Sequence, residues 1–172
     1  LSFIENFVNE YQDKAPILGE SWRFDLFTYL IAMEHLKKNK PKAIFVGFDE
    51  TDEFAHYGSY DTYIKSLHYT DAFIKSMWEY VDSDPFYKDN TYLIITTDHG
   101  RGNGAEEDSM WTSHGINVRG AEMTWLAVLG PNLNPLGNLK YSNASTNQIA
   151  PTIAKLAKIE FDAQASEINT IR

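Results

Sequence analysis

The stretch Tyr92-Leu-Ile-Ile-Thr-Thr97-Asp98-His99-Gly100 decides the reading of this chain. Its apolar, β-branched run predicts a strand. A carboxylate, an imidazole and a glycine follow without a spacer. Burying such ionisable groups at a strand end is costly unless a cation or other partners offset it. A second apolar run, Ala43-Ile-Phe-Val-Gly-Phe48, precedes Asp52 and His56, which stand four residues apart, and His114 lies beyond Gly104. Two strands that each lead into an acid and an imidazole, with one further His, predict a dinuclear metal centre at the carboxyl edge of a parallel sheet. Carboxylate oxygen and neutral imidazole are the usual ligands of Zn²⁺, and they also suit Mn²⁺.

Working outward, the periodicity of Leu26, Phe27, Leu30, Ile31 and Met33 predicts a helix over 21–39, closed by Lys37, Lys38 and then Pro41. Ala43 to Phe48 is continuously apolar, as expected of a strand covered on both faces. A loop is expected from Asp49 to Gly58. Ser59 is placed to cap a long helix carrying Tyr63, Leu67, Ile74, Trp78 and Val81, ended by Asp82-Ser-Asp-Pro85. Gly100 to Glu122 reads as a long loop, a length usually associated with function. Thr124 to Leu129 is expected as a third strand, and a helix follows from about Gln148 to Lys158 with Pro151 in its first turn. A short helix is expected around Ile4 to Tyr11. This order predicts an α/β fold, layered as an α/β/α sandwich around a mainly parallel sheet with right-handed crossovers. No linker divides the chain, so residues 1–172 read as a single domain.

At 172 residues, with 43% hydrophobic residues, the chain is long enough to bury a core. The formal net charge of −9 excludes a nucleic-acid scaffold role, which needs clustered Lys and Arg. With no cysteine, disulfides and thiolate ligands are excluded. No apolar stretch reaches the ~18 residues of a membrane span. The chain starts at Leu1, and it is expected to be a fragment of a longer protein.

The segments Phe48-Asp-Glu-Thr-Asp52-Glu-Phe-Ala-His56-Tyr-Gly58, Thr96-Thr97-Asp98-His99-Gly100 and Ser113-His114-Gly115 together resemble the C-terminal metal motifs of the alkaline phosphatase superfamily. The type I phosphodiesterase and nucleotide pyrophosphatase group is the branch most resembled. The likeness spans roughly residues 42–159, including Gln148-Ile-Ala-Pro-Thr-Ile153. It implies that Asp52, His56 and His114 hold one divalent ion while Asp98 and His99 hold another, most simply zinc, with manganese as the alternative. It also implies a phosphorylated small-molecule substrate and an extracytoplasmic location. The family's nucleophilic Ser or Thr and an early Asp are expected upstream, because nothing before residue 42 resembles that segment. Thr51, Thr96 and Thr97 occupy the wrong place in the motif order. The expected function is thus the C-terminal metal-binding portion of a two-metal phosphoric ester hydrolase, inactive by itself. Alternatives are a non-catalytic metal-dependent binding domain, or the sulfatase or phosphomutase branch.

Other residues carry less. Arg101 reads either as a bidentate phosphoryl clamp or as an exposed loop arginine. Gly100, Gly102 and Gly104 read as flexibility rather than a phosphate cradle. Glu106-Glu-Asp108 reads as a solvated run, and His35 and His68 as structural or surface residues. Trp125 is expected in the core, whereas Trp111 is open between core and a substrate pocket. Asn143-Ala-Ser145 matches a glycosylation acceptor. An unpaired sheet edge beside Ile44-Phe-Val46 predicts self-association of the fragment.

Overall fold

The computed structural model describes residues 1–15, 23–104, 110–139, 144–162 and Ile168. Ser21, Trp22, Glu106-Glu-Asp108 and Asn143 lie outside the described residues. The chain builds α1 (Phe3–Tyr11), α2 (Asp25–Asn39), α3 (Glu50–His56), α4 (Tyr60–Ser83), β1 (Leu93–Thr96), β2 (Leu126–Leu129) and α5 (Ile149–Ala157). Its class is mixed α/β.

Helix α1 starts on a capping box in which Ser2 Oγ accepts from Glu5 N at 3.1 Å and Glu5 Oε2 accepts from Ser2 N at 2.6 Å. Helix α2 ends where Lys40, the residue before Pro41, enters the left-handed region at φ 48°. The core lies between α2 and α4, where Met33, Leu36, Val81 and Tyr87 pack with Tyr29, Met77, Trp78 and Tyr80 around them. Lys40 braces that packing: its ammonium bonds Asp84 and donates to Tyr80 Oη at 2.6 Å. Ser59 precedes α4 as expected, yet its hydroxyl donates to Thr62 Oγ1 at 2.8 Å and caps no backbone group.

Three expectations about secondary structure and pairing are corrected, and one about burial. Ala43 to Phe48 forms no strand among the described residues, and Phe45 is 93% exposed. An apolar run becomes a strand only where a neighbour supplies ladder partners. Here Phe48 packs against Phe73 of α4 at a ring separation of 6.0 Å. The expected loop over Asp49 to Gly58 is instead helical across α3. Finally, β1 and β2 pair antiparallel, with Leu93 opposite Leu129 and Thr96 opposite Leu126. A parallel pair needs a crossover, usually a helix. The described part of 97–125 contains none and simply returns the chain beside β1. Trp125, expected in the core, stands 55% exposed just before β2.

Candidate metal centre

Helix α3 delivers two of the site's side chains, and its sequence explains why it forms. Glu50, Asp52 and Glu53 place negative charge in the first turn, where the helix dipole favours it. The buried Asp25 carboxylate accepts the Asp49 N–H at 2.8 Å and the Glu50 N–H at 3.4 Å. Glu50 Oε1 returns the favour by accepting the Asp25 N–H of α2 at 2.9 Å. At the far end Gly58 N donates to Ala55 O at 2.8 Å and Ser59 N to Phe54 O at 3.1 Å, with Gly58 at φ +66°. That is the paired closing pattern for which glycine is favoured. One turn apart, Asp52 and His56 therefore share a face of α3.

His114 arrives on the excursion between β1 and β2. Gly100 N donates to Ala121 O at 2.7 Å, Asn103 N to Arg119 O at 3.2 Å and Gly102 N to Ser113 O at 2.8 Å. The two arms cross so closely that a Cβ on Gly100 would collide with the carbonyl oxygens of Gly120 and Met123. Gly100 is thus a close-approach residue rather than a source of flexibility, which corrects the expectation for it.

The three side chains converge. His56 Nε2 lies 2.9 Å from His114 Nε2, and Asp52 Oδ2 lies 3.2 Å from His56 Nε2 and 3.6 Å from His114 Nε2. Ligand atoms of Asp52, His56 and His114 all fall within 4.8 Å of one another. Two nitrogens sharing one tetrahedral ion at usual Zn–N lengths stand about 3.3 Å apart, so the spacing fits a single cation. Donor chemistry fits as well: one carboxylate and two imidazoles. Burial, reinforced by the neighbouring His99, holds the His114 imidazole below the usual histidine range, which keeps it in its neutral, ligating form.

His99 joins the same cluster from the other side. Its ring stacks on that of His114 at 3.7 Å and 14°. Its Nε2 lies 3.7 Å from Asp52 Oδ1, and its Nδ1 lies 2.8 Å from Gly100 O. The two oxygens of Asp52 thus face different imidazoles. Asp98 is less engaged: its side chain is 89% exposed, with Oδ2 3.7 Å from His99 Nε2. The desolvation argument for burial of this pair therefore fails for Asp98 and applies only in part to His99, whose side chain is 26% exposed. Burial, with the charges of Asp52 and Asp98, raises the pKa of Asp49 beside the centre. The Arg101 guanidinium bonds the Asp52 carboxylate, and Trp111 packs against Tyr60 at 5.4 Å and Tyr63 at 5.6 Å.

Asp25 is the residue that sequence reasoning missed. Its signal was an acid in the first turn of a helix, a position ordinarily solvated, and only the arrival of α3 reveals what it holds.

The chain belongs to the Metalloenzyme superfamily, whose family model matches residues 28–162. Comparisons with curated proteins and with solved structures gave no match. Membership of this superfamily points to a metal-dependent enzyme, and the cluster around Asp52 is the candidate place for the metal.

Proposed function

We propose that this chain is the C-terminal metal-binding part of a two-metal phosphoric ester hydrolase, of the phosphodiesterase and nucleotide pyrophosphatase type. The observation that carries the reading is the division of labour at Asp52. One of its oxygens faces His56 and His114, and the other faces His99. His114 and His99 are stacked nearly parallel, and both present Nε2 to this carboxylate. Imidazole lone pairs lie in the ring plane, so such a pair aims at two neighbouring positions rather than one. Two-metal phosphoryl-transfer sites space their ions about 3.5–4 Å apart. Asp52, His56 and His114 would hold the first ion, with His99 and Asp98 contributing to the second.

Zinc is the ion this donor set favours, with manganese as the alternative; when bound, such ions would activate a hydroxyl and offset phosphoryl charge. This chain's own residues orient the ligands and keep His114 neutral. The nucleophile belongs to the upstream segment of the whole catalytic domain, where a layered, mainly parallel α/β/α sandwich would receive β1 and the 43–48 run. Of the threonines near the motifs, Thr96 Oγ1 donates to Trp125 O at 2.8 Å, and Thr97 Oγ1 is buried without a partner among the described residues.

The experiment has two arms. Calorimetric titration of the chain with Zn²⁺ should show one ion bound more tightly than any second, with binding lost in His114→Ala. The complete protein should hydrolyse aryl phosphate mono- or diesters, and His99→Ala should abolish turnover. Metal binding without hydrolysis of any phosphoric ester would instead favour a non-catalytic metal-dependent binding domain. Turnover of a sulfate ester, or of a phosphosugar by isomerisation, would move the protein to the sulfatase or phosphomutase branch.

A further inference from the structure

We propose that Arg101 is a positioning residue that sets how Asp52 meets the first ion; the inference rests on the metal reading above. The Arg101 side chain is only 16% exposed. Its Nη2 donates to Asp52 Oδ1 and, at 3.1 Å, to the Asp52 backbone oxygen, while Nη1 donates to Trp111 O at 3.3 Å. One planar group therefore ties α3 to the loop segment that carries His114, three residues beyond Trp111. A second tie, Gly102 N to Ser113 O at 2.8 Å, places the residue just before His114 against the residue just after Arg101. Trp111 is in turn seated on Tyr60 and Tyr63 of α4. Both ligand-bearing segments are thus referred to a single guanidinium.

The consequence concerns the two carboxylate oxygens. With Oδ1 engaged by Arg101, Oδ2 is the oxygen left toward His56 at 3.2 Å and His114 at 3.6 Å. Asp52 is thereby prepared as a one-oxygen ligand, with its charge offset before an ion arrives. A guanidinium suits this task because its rigid fork addresses acceptors in different directions at once. A lysine would keep the charge but not the bridge between Asp52 and Trp111. Committed in this way, Arg101 acts on the ligand rather than gripping a phosphoryl oxygen itself. Partners of metal ligands commonly change affinity by roughly 10–100-fold when removed.

The test compares wild type, Arg101→Lys and Arg101→Met, each titrated with Zn²⁺ and with Co²⁺ as a spectroscopic probe. Wild type should give the intense visible bands of a four-coordinate cobalt site. Both variants should bind Zn²⁺ about 10–100-fold more weakly. They should also show weaker, shifted cobalt bands as Asp52 turns to present both oxygens. Thermal melts in excess chelator serve as the folding control, and Arg101→Lys supplies a variant of conserved charge should Arg101→Met fail to fold. Full rescue by lysine would show that charge alone matters and overturn the positioning role. Unchanged affinity and spectrum in both variants would overturn it too, while leaving the metal reading intact. A wild type that binds neither ion would defeat the metal reading, and this inference with it.

Discussion

Asp49 separates two neighbouring segments of opposite character. On its far side α3 is held at both ends, by the Asp25 carboxylate at its start and by the Gly58 turn at its finish. On its near side Ala43 to Phe48 is a continuous apolar run, yet it forms no helix or strand and leaves Phe45 turned to solvent. Hydrophobicity alone did not order the second segment, and polarity did not prevent the first from ordering. A helix carries its hydrogen bonds within itself and needs only caps and a seat. A strand has half of its bonding groups in another segment. The contrast makes α3 the rigid half of the site's foundation and the preceding run its unsupported half.

The sharpest way to break this contrast is through metal affinity. On α3, Asp52→Ala and His56→Ala each remove a ligand atom, so Zn²⁺ affinity should fall by more than the ~10–100-fold loss usual for an outer partner. Phe45→Ser should leave it unchanged. Equal losses in the two segments, measured by calorimetry, would erase the distinction.

Next in size is the pH response of Asp25, which is only 2% exposed. Burial, aided by the nearby Glu50 and opposed by the two backbone N–H groups, raises its pKa from 3.8 to about 6. The folded state then holds this proton more tightly than the unfolded chain does. Stability from this group is therefore complete below about pH 4 and falls as the pH rises to about 6, by an order-of-magnitude ~3 kcal/mol. Asp25→Asn should flatten that slope in denaturant titrations. Identical slopes in the two proteins would mean that the carboxyl ionises freely.

A smaller effect is expected from glycine substitutions on either side of Asp49. Gly58 sits at φ +66°, so Gly58→Ala should cost about 1–2 kcal/mol. A Cβ on Gly47 would meet only the Phe45 ring, at an ordinary 3.7 Å, so Gly47→Ala should stay within ~0.5 kcal/mol. Melting temperatures that drop equally would show the 43–48 run to be as constrained as α3. Smallest of all, Phe45→Ser should change stability by less than ~0.5 kcal/mol. It should nevertheless lower the average mass seen by light scattering at high concentration, since the exposed run is the expected site of self-association. No change in mass would remove that expectation.

What the sequence disclosed follows the same division. Helices α2, α4 and α5 were legible within a few residues because periodicity, Ser59, Pro85 and Pro151 are local signals. Strands β1 and β2 were legible as apolar runs, whereas their antiparallel pairing was not, since direction depends on how residues 97–125 travel. Helix α3 escaped because seven residues are too few for a periodic pattern, although its acids and Gly58 mark both ends. For the candidate site, the spacing of Asp52 and His56 and the Asp98-His99 pair were visible as chemistry. That His99 would stack on His114, and that Arg101 would bridge Asp52 to Trp111, depends on contacts between segments far apart in the chain. Asp25 belongs to the same kind: its role exists only when α3 is set against α2.

The close crossing at Gly100 and Gly120 has a mechanical meaning. It makes the excursion after β1 a noose, drawn tight by backbone at its neck. His99 stands at the knot and His114 on the returning arm, so the stacking of their rings is set by the knot rather than by the size of the loop. One methyl group added at Gly100 would force the knot open and part the two imidazoles, because its Cβ has no room between the carbonyl oxygens of Gly120 and Met123.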